Sequence, residues 1–463
     1  MRRSVAWCFY LFGLLLLTAC EPLDLRALSA KAKATIAPSV EVNSPAVKNA
    51  TVVEVKPFEQ ILDEALASAV INNSFKDAIK LAVQSDPIVL GAKAKYSSSV
   101  ASINVVQSLK DFQLSGTLYG GVEDLTDETS GIAAVLSANK VLYDGGKLDG
   151  QILAEQFAAK AAFSEYEAKL DERAFEASSA WVNFDRYESL SDLIGSRLDV
   201  LDPLITQLEK VASAGLGDAT QVAAAQRTVA LIRVTQTDVE ERLEQARVVF
   251  INIFGGLPTD TDFPDSVVSN AVPAGVSKAQ IMQAPALRAN YATYSAAVAN
   301  LKSIKAQDTY NVGFETRIQK PFGGSSYDSD ESIGLVVQKT FFDGQKLESE
   351  IKLAEERAKA QLEFLKATYR SGNKMVKTAY TTISSMEKAI KIANDIAANA
   401  VEEISYLRKQ LIIGQSTLDS VLSAEARLYD AESKVINFVA DRRIAELSIL
   451  SSVGELANLF EIN

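Results

Sequence analysis

The chain repeats itself, and that duplication limits what it can fold into more than any other feature. Val141-Leu142-Tyr143-Asp144-Gly145-Gly146-Lys147-Leu148 returns as Thr340-Phe341-Phe342-Asp343-Gly344-Gln345-Lys346-Leu347, an offset of 199 (343 − 144 = 199). Gly215 followed by Val222 and Ala225 returns as Gly414, Val421 and Ala424 at the same offset, and Gly255 returns as Gly454. Asp86-Pro87 matches Ala284-Pro285 at an offset of 198 (285 − 87 = 198). One register held from Asp144 to Gly255 means one supersecondary unit used twice. Two helical hairpins that merely share a length are the plainer alternative.

Each unit has the same internal order: a helix, two strands, a very long helix, a glycine turn and a return helix. Asn311-Val312-Gly313-Phe314-Glu315-Thr316-Arg317-Ile318-Gln319 alternates an apolar face (Val, Phe, Thr, Ile) with a polar one, the period of a strand. Ile333 to Gln338 is its partner, and Phe112, Leu114 and Leu118 followed by Ile132 to Val141 form the matching pair in the first unit. After Asp144 and Asp343, each an expected helix N-cap, few breakers occur before Gly215 and Gly414. Leu347, Ile351, Ala354, Ala358, Leu362, Leu365 and Tyr369 recur at three- and four-residue steps, as do Val421, Ala424, Leu428, Ala431, Val435 and Phe438. This spacing makes a coiled-coil seam whose small residues permit close approach. Each long helix should reach roughly 100 Å, and Pro203 should kink or break the first.

The fold class is therefore mainly α with a small β part. Repeat 1 is 75–256, with strands at about 111–123 and 130–143 and helices at about 75–109, 144–212 and 218–254. A linker covers 257–276. Repeat 2 is 277–458, with strands at about 309–322 and 331–342 and helices at about 277–306, 343–412 and 417–456. A tail, 459–463, follows.

Composition removes whole classes of function. The 463 residues contain no histidine, the commonest general base and metal ligand. Only Cys8 and Cys20 occur, so no disulfide framework is expected. No phosphate-binding glycine loop is present, and Glu402 and Glu403 sit on a helical face as solvated charges. No enzymatic activity, cofactor or metal is expected. A net charge of −12 without a basic stripe argues against nucleic acid.

The N-terminus reads as a processing signal, 1–19. Arg2 and Arg3 precede an apolar run from Val5 to Leu17, and Leu17-Thr18-Ala19-Cys20 resembles a bacterial lipobox. Cys20 is then the acylated first residue of a tether and short helix, 20–74. An ordinary signal with an incidental cysteine is the alternative. No later segment has the length of uncharged apolar residues that a membrane-spanning helix needs, so further membrane contact falls to strands. Four amphipathic strands cannot close a barrel, and open edges cannot sit in lipid, so oligomerisation is expected.

An aromatic-Asp-Gly-x-Lys-Leu strand end, a long helix and Gly-x(6)-Val-x(2)-Ala, all occurring twice behind a lipobox, resemble the TolC family of outer-membrane factors over roughly residues 75–458. The resemblance implies a homotrimer. Each protomer gives four strands to a twelve-stranded transmembrane β-barrel and two coiled-coil hairpins to a periplasmic α-barrel. It implies an outer-membrane location, lipid-anchored, and partnership with a periplasmic adaptor (membrane fusion) protein and an inner-membrane pump, for efflux or type I secretion. Gly215, Leu216, Gly217 and Asp218, with Gly414, Gln415, Ser416 and Thr417, are the implied periplasmic tips that meet the adaptor. The pore constriction implied near the tips falls on Ser420 and Ser423, with Gln221 matching in repeat 1 and Asp419 the nearest acid. The family's carboxylates are missing there, and Asp218, Asp419 and Glu425 remain as acids, each equally readable as a helix cap or a solvated charge. Arg408 and Tyr406 stand nearby. A lipid-anchored periplasmic coiled-coil scaffold without a pore is the competing reading. It leaves the two amphipathic strand pairs unexplained.

Overall fold

Both copies of the repeat build helices of the same two lengths, 67 and then 36 residues, on one shared sheet. The computed structural model describes residues 56–61, 74–124, 129–213, 219–258, 263–322, 325, 328–413 and 415–462. The chain divides into two units, Met1–Glu64 and Ala65–Asn463. In the first unit 58–61 are helical. The proposed signal, Cys20 and most of the expected tether lie outside the described residues.

In the second unit, repeat 1 runs α1 (Phe75–Ser85), α2 (Pro87–Ser108), β1 (Gln113–Asp124), β2 (Thr129–Tyr143), α3 (Lys147–Ser213) and α4 (Ala219–Phe254). A short α5 (Asp265–Ala271) lies between the repeats. Repeat 2 runs α6 (Lys278–Gln283), α7 (Pro285–Lys305), β3 (Asn311–Phe322), β4 (Asp330–Gln338), α8 (Lys346–Ile412), α9 (Leu418–Val453) and α10 (Leu456–Leu459).

Local chemistry sets the junctions. The Asp86 carboxylate accepts from the N–H groups of Ile88 and Val89 at 2.8 and 3.3 Å, and Pro87 opens α2. The segment expected as one helix over 277–306 is two. Pro285 forces Ala284 to φ −54°, ψ 129°, outside the helical region, because its ring crowds the preceding residue. After the sheet, the Asp144 carboxylate accepts from Gly146 and Leu148 N–H at 2.9 and 2.7 Å, and Asp343 accepts from Leu347 N–H at 2.8 Å. Gly145 between them has φ +68°, and a β-carbon there would lie 1.9 Å from Thr309 Cγ2. Pro203, expected to kink or break α3, does not interrupt it. The residue is exposed, so the carbonyl it leaves without a donor meets water rather than protein.

The four strands form one antiparallel sheet in the order β1-β2-β3-β4. The repeats join at β2–β3, with Leu136 opposite Ile318 and Asn139 opposite Glu315. Towards the sheet the helices pack as a row, α2–α3–α7–α8. Farther away they pack as α4–α3–α9–α8. The seam residues Ala354, Ala358, Val421, Ala424, Leu428 and Ala431 are buried, as their spacing requires.

The main core lies where the two rows meet. Trp181, 1% exposed, is ringed by Phe75, Phe250 and Phe254 at 5.2–5.7 Å, and Phe263 and Phe460 close on Phe75. The expected tail is thus core: Phe460 and Ile462 are buried. The expected linker is also anchored. Arg443 of α9 binds Asp265 of α5 through two hydrogen bonds of 2.9 and 2.6 Å, binds Asp185 of α3 at 2.6 Å, and stacks on Phe263 at 4.7 Å. The turn from α9 to α10 depends on Gly454, whose φ is +81° and whose added β-carbon would sit 2.3 Å from Pro285 Cδ. Beneath it the Asp171 carboxylate accepts from Ala457 N–H at 2.9 Å. Burial pushes that carboxyl up to about 7, against the opposing hydrogen bonds from Ala457 and Leu456.

Two measurements test this core. Gly454→Ala should cost about 2 kcal/mol through backbone strain and overpacking, read as a lower denaturant midpoint. Asp171 takes up its proton at about 7 when folded and near 3.8 when unfolded. The folded state therefore holds the extra proton between those values. Its contribution to stability is full below about 4, declines as pH rises to about 7, and is flat above. Asp171→Asn should reduce the fall in melting temperature between pH 5 and pH 8. An unchanged slope would rule Asp171 out as its source.

Candidate functional site

The sheet separates two chemistries by register alone. Leu118, Leu136, Ile318, Ile333, Leu335 and Val337 share one face, because the pairings Gly116↔Leu136, Leu118↔Ala134, Leu136↔Ile318, Thr316↔Ile333 and Phe314↔Leu335 keep them in phase. Most of these side chains are strongly exposed. The other face carries Ser115, Thr117, Ser137, Asn139, Glu315, Arg317 and Gln319. Among the described residues the apolar face holds three charges, all near its ends. Lys320 pairs with Glu331 at 2.5 Å at the loop end, and Lys140 lies 4.9 Å from the Phe112 ring at the helix end. Exposed aromatic residues gather at the same ends: Phe322 at one, and Phe112, Tyr143, Tyr310, Phe341 and Phe342 at the other. Among the described residues nothing covers the apolar face or pairs with either strand edge.

At the far ends of the long helices, Gly215, Leu216, Gly217, Asp218, Gly414 and the side chain of Gln221 lie outside the described residues. Thr417 caps α9: its hydroxyl accepts from Ser420 N–H at 3.2 Å and shares a 2.8 Å hydrogen bond with the Ser420 hydroxyl. Gln415 and Thr417 are exposed, while Ser416, Asp419, Ser420 and Ser423 are half-buried. Sequence reasoning passed over Ile412 and Ile413, which are 85% and 65% exposed beside this turn. Their signal was two β-branched apolar residues next to a glycine in a solvent turn, with no seam position to occupy.

Glu425 is not free to line a pore. It is 2% exposed, and its carboxylate receives Arg408 of α8 at 2.6 Å and Arg197 of α3 at 3.4 Å. Arg197 also binds Glu432. One acid of α9 therefore ties the two long helices together just above the turn, while Leu418, Val421 and Leu422 pack with Leu201 and Val229 below it. Reading Glu425 as a pore acid overlooked its two arginine partners, one of them 228 positions away in the chain.

A cavity of about 1090 Å³ opens among α2, α3, α6, α7 and α8, walled by Tyr96, Phe157, Phe163, Met282, Tyr291 and Tyr369. Among the described residues no group of acids is gathered as a metal site, and no helix is long and apolar enough to cross a membrane.

Comparison with known proteins gives a consistent set. Residues 277–455 match the family model described as outer membrane efflux protein. Outer membrane protein TolC of Escherichia coli (strain K12) is 24% identical over 153 residues, 32% of this chain and 30% of TolC, so the match spans less than a third of that relative's length. Among solved structures, CusC superposes with a TM-score of 0.73 at 18% identity, covering 83% of this chain and 93% of CusC. VceC of Vibrio cholerae gives 0.69 at 18% identity, over 82% and 95%. The Campylobacter jejuni CmeC outer membrane channel gives 0.71 at 12% identity, over 87% and 88%. The fold is that of these channels: long helical hairpins beneath a small sheet.

Glu425→Ala leaves two arginines without their shared buried partner. It should cost about 2 kcal/mol and speed amide exchange at the lower ends of α3 and α8, while exchange around Trp181 stays unchanged. Equal acceleration in both regions would contradict a local tie.

Proposed function

We propose that this chain, whose second repeat matches the outer membrane efflux protein family model and whose fold is that of CusC, VceC and CmeC, is one protomer of a homotrimeric outer-membrane channel. The sheet carries the proposal. It has an open apolar face, a polar opposite face and two unpaired edges, and in hydrocarbon every backbone group must find a partner. Three copies supply twelve strands, above the about eight a barrel needs. From Phe314, opposite Lys140, to Lys320 the apolar face runs six residue steps along β3 (320 − 314 = 6), about 20 Å. That suits the about 25 Å apolar band of outer-membrane barrels, and aromatic residues flank such bands. The outermost helices also keep apolar residues in solvent: Phe364, Ile392 and Val401 on α8, and Leu231, Val234 and Val248 on α4. In a closed helical cylinder these find neighbours.

In this reading Cys20 is the acylated anchor, and the helical rows form a tunnel in the periplasm. The turns 214–218 and 413–417 are its tips. Gln415, Ser416, Thr417, Ile412 and Ile413, with Gly215, Leu216, Gly217, Asp218 and Gly414, meet a periplasmic adaptor coupled to an inner-membrane pump. Asp419, Ser420 and Ser423, with Gln221 of the first repeat, constrict the tunnel near those tips. Serine there makes the constriction polar and uncharged, apart from Asp419. The chain conducts cargo that the pump selects, in efflux or type I secretion, and catalyses nothing.

Purified in detergent and added to a planar bilayer, the protein should open stepwise conductances and run as an oligomer that heat converts to monomer. Leu335→Arg, which puts a charge at mid-band at a cost of about 2–4 kcal/mol, should block insertion. A protein extracted without detergent as a monomer would instead favour the scaffold reading. Gln415→Pro at the tip should abolish export in cells while the heat-sensitive oligomer persists; normal export would remove the tip assignment.

A further inference from the structure

The internal repeat carries information about a junction that lies outside a single chain. Gln113 pairs with Asn139 in the first hairpin, and Asn311 pairs with Gln338 in the second. The two hairpins are therefore equivalent, with β1 matching β3 at an offset of 198 (311 − 113 = 198) and β2 matching β4 at 199 (338 − 139 = 199). Within the chain, the second strand of the first hairpin pairs with the first strand of the second. The equivalent junction pairs β4 with a β1, and no β1 is available to β4 in its own chain: the two lie at opposite edges of the sheet.

The known junction can be carried across by these offsets. Asn139↔Glu315 becomes Gln338↔Thr117, Ala138↔Thr316 becomes Val337↔Leu118, and Leu136↔Ile318 becomes Leu335↔Gly120. The two faces of the sheet stay in phase across this junction. A strand slip of one residue would turn one face inside out. In this register Val337 and Leu335 still meet Leu118 and Gly120 on the apolar face, and Gln338 meets Thr117 on the polar one.

A second observation points the same way. β2 runs to Tyr143, and its last residues are paired only with β3: Lys140↔Phe314, Val141↔Gly313 and, past a bulge, Tyr143↔Val312. Their equivalents Lys339–Phe342 are not strand, β4 stopping at Gln338, and Phe341 and Phe342 are 86% and 85% exposed. The repeats have the same sequence pattern here but different structure, and the difference is the missing neighbour. The helices repeat the pattern: α3 packs on α7, while their equivalents α8 and α2 stand at the two ends of the row.

We propose that β4 of one copy of this chain pairs antiparallel with β1 of a second copy in the register Gln338↔Thr117, Val337↔Leu118 and Leu335↔Gly120. The pairing continues through Lys339 opposite Gly116 and Thr340 opposite Ser115, drawing Lys339–Phe342 into strand. This rests on the oligomeric channel reading and adds the residue-level geometry of its subunit junction.

Cysteine pairs in the full chain, oxidised in native membranes, test it. In an antiparallel ladder one of two consecutive pairs is the close, non-hydrogen-bonded kind, with a Cα separation that a disulfide accepts. At least one of Thr117→Cys with Gln338→Cys and Leu118→Cys with Val337→Cys should give a covalent ladder ending at trimer. Ser115→Cys with Gln338→Cys keeps the face but shifts the register by two, and should give less than a tenth of that yield. A ladder from the shifted pair instead, or none from any pair in a protein whose native mass is oligomeric, overturns the register while leaving the channel reading intact. A monomeric native mass overturns both. Independently, amides of Lys339–Phe342 should exchange at least tenfold more slowly in the assembled protein than in a detergent-dissociated monomer. Equal exchange in the two overturns the extension into strand.

Discussion

Unpaired backbone is the constraint on which the rest depends. A four-stranded sheet has two edges, and this one ends in β1 and β4 with an apolar face open between them. Water could satisfy those edges, but an exposed face rich in leucine, isoleucine and valine is poorly suited to water. Lipid suits the face but not the edges. Both demands are met when the sheet continues into further copies, and the row of helices below, with apolar residues along its outer members, has the same unfinished character.

The helices are long and packed side by side in rows, and the chain holds them with small residues and a few partly buried ion pairs. Alanines at the seams let helix backbones approach closely. Where the rows change partners, aromatic rings pack around Trp181. The ion pairs sit at places where three elements meet: Arg443 with Asp185 and Asp265, and Glu425 with Arg197 and Arg408. Buried pairs add little net stability over a well-packed apolar core, but breaking one is costly. Such pairs suit fixing the relative position of helices that could otherwise slide along a repetitive seam.

Much of the architecture was legible because it is periodic. Strand alternation, heptad spacing and a duplication at one offset are local or translational patterns, and they indicated the hairpins, the long helices and the turn positions. The misses share a physical cause. The break at Ala284 came from the residue after it, and Pro203 passed without interrupting α3 because its surroundings are solvent. The buried C-terminus and the anchored linker were invisible because Phe460 and Asp265 find partners far along the chain. Glu425 read as a candidate pore acid for the same reason: its arginines lie on other helices.

The sequence by itself determined the class of elements, their lengths and their duplication, since these follow from side-chain period and from backbone preferences at glycine and proline. The tertiary structure decided which charges are buried and matched, where the aromatic core closes, and that the repeats join through β2 and β3. It also decided that β4 stops at Gln338 although its sequence parallels β2 beyond that point. A strand exists only where a neighbour supplies its hydrogen bonds, and no pattern within one segment says whether that neighbour is present.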